Sequence, residues 1–147
     1  MEVKGHLKVN DKAVKQPGRV YATNGSTFSV TTSELDVTVL TALTLDPPPN
    51  GVRKYRVTMF LPWASDGTSE VVTIKLYLGA NGTKADTTPI KTWIDGTRQG
   101  DGSNFFISHY QITPTAAQVK AGLSLQIAAG PNDMVADSFL EIEELVE

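Results

Sequence analysis

The stretch Val72-Thr73-Ile74-Lys75-Leu76-Tyr77-Leu78 decides how this chain folds. Val72, Ile74, Leu76 and Leu78 fall on one side of an extended backbone, and Thr73, Lys75 and Tyr77 on the other. A period of two marks a half-buried β-strand, because successive side chains leave the pleat in opposite directions. An amphipathic helix would repeat its apolar residues every three to four positions. The β-branched and aromatic content of the stretch suits the same pleated surface.

The rhythm continues on both sides. Tyr55, Val57, Met59 and Leu61 alternate with Arg56 and Thr58. Leu35, Val37, Val39, Thr41, Leu43 and Leu45 share one face, with Asp36, Thr38, Ala42 and Thr44 mostly on the other, which predicts one strand over residues 35–45. Further strands are expected over 90–94, 105–112, 123–127 and 139–146. Asn24-Gly25, Asn50-Gly51, Asn81-Gly82, Asp66-Gly67, Asp95-Gly96 and Asp101-Gly102 punctuate them, each able to take the positive φ of a tight turn. Residues 20–23 and 27–31 about Asn24-Gly25 read as a hairpin, and Pro47-Pro48-Pro49 forbids a continuing central strand. About eight or nine short strands at this spacing predict an all-β chain, an antiparallel β-sandwich of jelly-roll-like form.

Two segments depart from the pattern. Thr113 suits an N-cap, Pro114 the first helical position and Gly122 the left-handed residue past the end, so one short connector helix is expected between them. Residues 1–18 have a thin apolar set, Val3, Leu7 and Val9, interleaved with lysines and closed by Gln16-Pro17-Gly18. They read as an extended N-terminal arm, leaving residues 19–147 as the sandwich domain.

Composition narrows the function. A chain of 147 residues is the size of one domain and needs no disulfide or metal staple. The absence of cysteine removes disulfide frameworks and Cys-based metal sites. A net charge of −3 argues against a direct nucleic-acid binder, and no apolar run reaches a membrane span or a signal-peptide core. The charges are polarised, however. Lys4, Lys8, Lys12, Lys15 and Arg19 head the chain, while Asp133, Asp137, Glu141, Glu143, Glu144 and Glu147 end it without a Lys or Arg after residue 133. Such a head and tail can attract each other within one chain or between subunits, or stand as two solvated ends.

A search for chemistry finds little. His6 and His109 belong to no metal-ligand spacing, and nothing aligns a nucleophile with a base. Glu141 and Glu143 share a strand face but read as part of a solvated acidic tail rather than a glycosidase pair. Asp95, Asp101 and Asn104 lack the spacing and closing Glu of a calcium loop. The sequons at Asn24 and Asn81 read as turns. No catalytic residue, cofactor or metal is expected, and the chain reads as a binding protein. Trp93 alternates with the isoleucines at 90 and 94, so it is a sugar platform, a subunit interface or the second half of a two-faced core.

The lysine-bearing arm, the Thr- and Val-rich strands and the lack of cysteine occur with Val119-Lys-Ala-Gly-Leu-Ser-Leu-Gln-Ile-Ala-Ala and Phe139-Leu-Glu-Ile-Glu-Glu-Leu. Together they resemble small structural proteins of tailed bacteriophages, most of all an auxiliary capsid (decoration) protein of the kind a thermophilic phage carries. The resemblance covers most of the chain as a style and carries over no contact residue. It implies a non-enzymatic homotrimer, assembled in the host cytoplasm and seated on the outside of the virion, stiffening the shell at its local threefold positions. The arm, through Lys4, Leu7, Lys8, Val9, Lys12 and Lys15, would bind a neighbouring subunit or the major capsid protein. Trp63 and Trp93 would serve self-association, which also covers open strand edges. The alternatives are a trimeric receptor-binding or tail-fibre head, and a carbohydrate-binding sandwich module.

Overall fold

The computed structural model describes residues 8–9, 12–13, 19–25, 27–45, 54–63, 71–95, 104–129 and 133–145. The strands among them are β1 (Lys8–Val9), β2 (Lys12–Ala13), β3 (Arg19–Thr23), β4 (Phe28–Val30), β5 (Leu35–Asp36), β6 (Leu43–Thr44), β7 (Lys54–Pro62), β8 (Val72–Gly79), β9 (Lys91–Asp95), β10 (Asn104–Ile112), β11 (Lys120–Ile127), β12 (Asp133–Val135) and β13 (Phe139–Leu145). Two antiparallel sheets pack face to face. One runs β10-β7-β13-β3; the other runs β5-β11-β8-β9, with β6 also pairing β11.

Alternation builds the core as the sequence predicts. Tyr55, Val57, Met59 and Leu61 of β7, with Leu140 and Ile142 of β13, turn inward from the first sheet. Val72, Ile74, Leu76 and Leu78 of β8, with Leu123, Leu125 and Ile127 of β11, meet them from the second. A layer of this kind removes both inner faces from water, which is the main favourable term in folding. With β5 and β6 taken as halves of one interrupted strand, the first sheet holds the first, eighth, third and sixth principal strands. The second sheet holds the second, seventh, fourth and fifth. That order is the jelly roll: each sheet draws strands from both ends of the chain, and successive strands mostly cross between sheets.

The structure corrects three local expectations. Residues 35–45 are not one strand. β5 ends at Asp36, a 3₁₀ turn covers Thr38–Leu40, and Ala42 takes φ 55° before β6. The break lets Val37 and Leu40 both reach the interior, at 0% exposure, which strict alternation between them would forbid. Residues 20–31 are not a hairpin: β3 pairs β13, and β4 pairs β12. At the turn, Asn24 bonds Ser138 from backbone and side chain, so the chain is tied to the β13 side and not folded back on itself. The connector helix expected from Thr113 to Gly122 is a reverse turn about Ala116 and Ala117, and among the described residues helix appears only as two 3₁₀ turns, Thr38–Leu40 and Lys84–Asp86. A short segment without an amphipathic face cannot recover the cost of helix nucleation, and the β11 ladder claims Lys120 to Gly122.

Gly122 has a different role from the one its sequence position suggests. A Cβ there would strike the Gly82 carbonyl oxygen and lie 2.6 Å from Thr41 Cα. Its bare backbone lets the β5–β6 break and the turn at Asn81-Gly82 lie directly on β11, and Ala42 N–H donates to the Gly82 carbonyl at 2.9 Å. Gly82 itself sits at φ 65°, the left-handed conformation its Asn-Gly signal predicts.

Candidate functional site

The outer face of the sheet β10-β7-β13-β3 carries a row of aromatic rings across all four strands. Phe60 opposes Phe106 on one side and Phe139 on the other, while Tyr21, opposite Glu141, stands diagonally beside Phe139. Ring centroids are 6.2 Å apart for Phe60–Phe106, 6.0 Å for Phe60–Phe139 and 5.6 Å for Tyr21–Phe139. Tyr21 and Phe106, at the two margins, are 50% and 57% exposed, and the central pair is half-buried. Exposed apolar surface of this continuity marks a contact surface more often than isolated residues do.

Beside the rings lies a charged band. Arg19 pairs with Glu141 at 2.6 Å and Arg56 with Glu143 at 2.7 Å, so these four side chains neutralise one another. The Arg19 guanidinium also sits 5.1 Å from the Tyr21 ring centroid. Phe139 stacks on the same ring, with 28° between the ring planes.

A second polar centre sits on the outer face of the other sheet. The Glu34 carboxylate accepts hydrogen bonds from Lys75 Nζ at 2.8 Å, Tyr77 Oη at 2.6 Å and Ser124 Oγ at 2.9 Å. Lys84 Nζ donates to the Glu34 carbonyl at 2.9 Å, and Lys84 N–H to Asp36 Oδ1 at 2.9 Å. Burial pushes the Glu34 carboxyl upward, but the hydrogen bonds from Lys75, Tyr77 and Ser124, with the Lys75 charge, outweigh it and hold the pKa below its ordinary value. Burial and then the Glu34 carboxylate push the Tyr77 phenol far up, so it stays protonated and donating. Glu34, Asp36, Lys75, Tyr77 and Lys84 line an open concavity of about 560 Å³ with Ala85 and Thr87. The cluster straps the segment before β5 onto β8 and β11.

The residues singled out from sequence are placed as follows. Trp63 is 2% exposed and belongs to the core. Trp93 opposes Ile74 on the inner side of β9 and packs edge-on against Tyr110 at 5.3 Å and Phe105 at 6.4 Å, closing the gap between the sheets. Trp93 packs against the core and Ile94 is the outward residue at 66% exposure, so β9 buries one face and the two-faced core expected for Trp93 is not observed. Both tryptophans are used inside the chain, which moves the candidate self-association surface from them to Tyr21, Phe60, Phe106 and Phe139. Lys8, Val9 and Lys12 fall in β1 and β2, which pair antiparallel as Lys8 with Ala13 and Val9 with Lys12. Lys4, Leu7, Lys15, His6 and Asp101 lie outside the described residues, as does the side chain of His109. Among the described residues no group of three His, Asp or Glu side chains is arranged to hold a metal, and no helix is long and apolar enough to cross a membrane.

No protein-family model matches the chain, and no curated protein matches it by sequence. Solved structures match in fold. A chain of the T13 infectious bursal disease virus particle is similar over 97% of this chain, with TM-score 0.57 and 12% identity. Chains of the Gt and Gx strains of the same virus each cover 97%, with TM-scores 0.58 and 0.51 and identities of 14% and 12%. This chain spans about a third of theirs, 34%, 35% and 37% respectively. At such identities the likeness is one of fold.

Proposed function

We propose that this chain is a non-enzymatic structural protein of a virus particle. One observation carries the reading: the fold is similar, over 97% of this chain, to chains of the infectious bursal disease virus particle at TM-scores above 0.5. Within that class the finer reading is a bacteriophage decoration protein, a homotrimer bound to the outside of the shell through the major capsid protein. The basic N-terminal segment supports it, as does a sheet face that carries a continuous row of aromatic rings.

Light scattering followed by capsid binding tests the proposal. The expected result is a particle of three copies that binds matching capsids saturably. Binding to host cells with none to capsids would instead make the chain a receptor-binding head, and a monomer that binds neither would end the structural-protein reading.

A further inference from the structure

Asn-Gly pairs are chemically weak points of a chain, because a glycine nitrogen can attack the preceding side-chain carbonyl with little steric hindrance. The nitrogen loses its proton, its bond to the asparagine Cγ forms, and the side-chain amide leaves as ammonia. Water then opens the succinimide at either carbonyl, giving aspartate or isoaspartate. The chain carries three such pairs, of which Asn24-Gly25 and Asn81-Gly82 lie among the described residues.

At Asn81-Gly82 one carboxylate holds both reacting groups. Gly82 N–H, the nucleophile, donates to Asp86 Oδ2 at 2.7 Å, and Asn81 Nδ2, the departing nitrogen, donates to Asp86 Oδ1 at 3.0 Å. The Asn81 backbone N–H adds a bond to Oδ1 at 3.1 Å. Ring closure strips the hydrogen from one nitrogen and expels the other, so the first two bonds are lost on the way to the succinimide. Interactions made in the ground state and lost in the transition state slow a reaction. The carboxylate also opposes the first step, since an amide anion beside it would meet a like charge. Burial pushes the Asp86 carboxyl upward, but hydrogen bonds from Asn81, Gly82 and Thr83 outweigh it and keep the group ionised at neutral pH. The end of β8 makes room for it: a Cβ at Gly79 would lie 2.6 Å from Asp86 Cγ.

Asn24-Gly25 is held in a similar way from the segment leading into β13. Gly25 N–H donates to Asp137 Oδ1 at 3.0 Å, and Asn24 Nδ2 to the Ala136 carbonyl at 3.3 Å. Ser138 N–H donates to Asn24 Oδ1 at 3.0 Å.

We infer that Asp86 and Asp137 are covalent-damage locks, which protect Asn81-Gly82 and Asn24-Gly25 from deamidation in the folded chain. The lock at Asn81 guards the fold itself, because Gly82 lies against Ala121 of β11 and its carbonyl accepts from Ala42 N–H. Isoaspartate there would lengthen the backbone by a methylene and set a new carboxylate against that of Asp86. The inference is independent of whether the chain binds a capsid.

The test is peptide mapping by mass spectrometry, with isoaspartate content, on the intact chain incubated at mildly alkaline pH with and without urea. Asn24 and Asn81 are expected to convert about tenfold or more slowly in the folded chain than in the unfolded one. Asp86→Ala is expected to restore fast conversion at Asn81 alone and Asp137→Ala at Asn24 alone, each with cooperative unfolding retained. Equal rates in the folded and unfolded wild type overturn the inference, as do folded variants that convert at the wild-type rate. Variants in which both sites speed up together also overturn it, since protection would then come from overall stability. If Asp86→Ala fails to fold, amide hydrogen exchange of the wild type decides for Asn81, because exchange removes the same Gly82 proton. Slowing of about tenfold or more at Gly82 supports the lock, and exchange at the rate of the unfolded chain overturns it.

Discussion

At the scale of single residues, Glu34 illustrates how a carboxylate fixes a loop. Its three side-chain donors come from β8 and β11, so ionised Glu34 binds the segment before β5 to the centre of the second sheet. Because the folded pKa lies below the ordinary 4.5, this stabilisation is complete above the unfolded value and is lost as pH falls through the folded one. Glu34→Gln is therefore expected to cost about 2 kcal/mol at neutral pH, as buried charge-assisted bonds do, and to flatten the acid limb of a stability profile followed by circular dichroism. A wild-type acid limb retained in the variant would show that other carboxylates govern it. Gly122→Ala is expected to cost about 3 kcal/mol in denaturant titrations, since the new methyl meets the backbone of Gly82 and Thr41 rather than a movable side chain. The positive φ of Gly25 and Gly82, 64° and 65°, was legible from their Asn-Gly pairs, although the first pair closes no hairpin. Gly122 was not legible as a packing residue. Nothing local separates a glycine that ends a helix from one that admits a distant loop.

Among the elements, the long strands were readable because they bury one face each. β7, β8, β10, β11 and β13 all fall where the period of two places them. The failures share one cause. Segment 35–45 keeps an apolar alternation but lies at the sheet edge, where β11 offers it partners only at its two ends, Leu35–Asp36 and Leu43–Thr44. The helix expected after Thr113 had good capping residues and too little apolar surface to reward them. The sheet edges differ in their protection against stray pairing. β10 shifts register between Ile107 and Tyr110, and the β5–β6 edge is broken, whereas β3 carries no bulge and presents Tyr21. The residues before β3 bear directly on function. Among the described residues the buried core begins at Val30, and deletion of residues 1–18 is expected to leave cooperative unfolding within a few degrees of wild type. Capsid binding by the truncated chain is expected to fall about tenfold or more in a sedimentation assay, a loss of about 1.4 kcal/mol. Full-strength binding would remove the arm from the interaction.

For the whole molecule, self-association links folding to concentration. If folded copies bind one another and unfolded ones do not, the Tm rises with protein concentration, and differential scanning fluorimetry over a hundredfold range checks it. A constant Tm would mean that the chain folds and works alone. The amino-acid sequence by itself determined the class of this protein: alternation, turn pairs and the lack of cysteine require an all-β domain with its own apolar core. These are local signals, written within a few residues of the elements they specify. The tertiary structure alone decided which strands are neighbours, and with them the surface. The jelly roll brings Tyr21, Phe60, Phe106 and Phe139 from four separated strands into one row. It also turns Trp63 and Trp93, conspicuous in the sequence, to the inside. A strand's pattern says that one of its faces is buried. Which residues stand side by side on the other face depends on pairings between segments more than a hundred residues apart, as in β3 with β13, and no local pattern encodes that register.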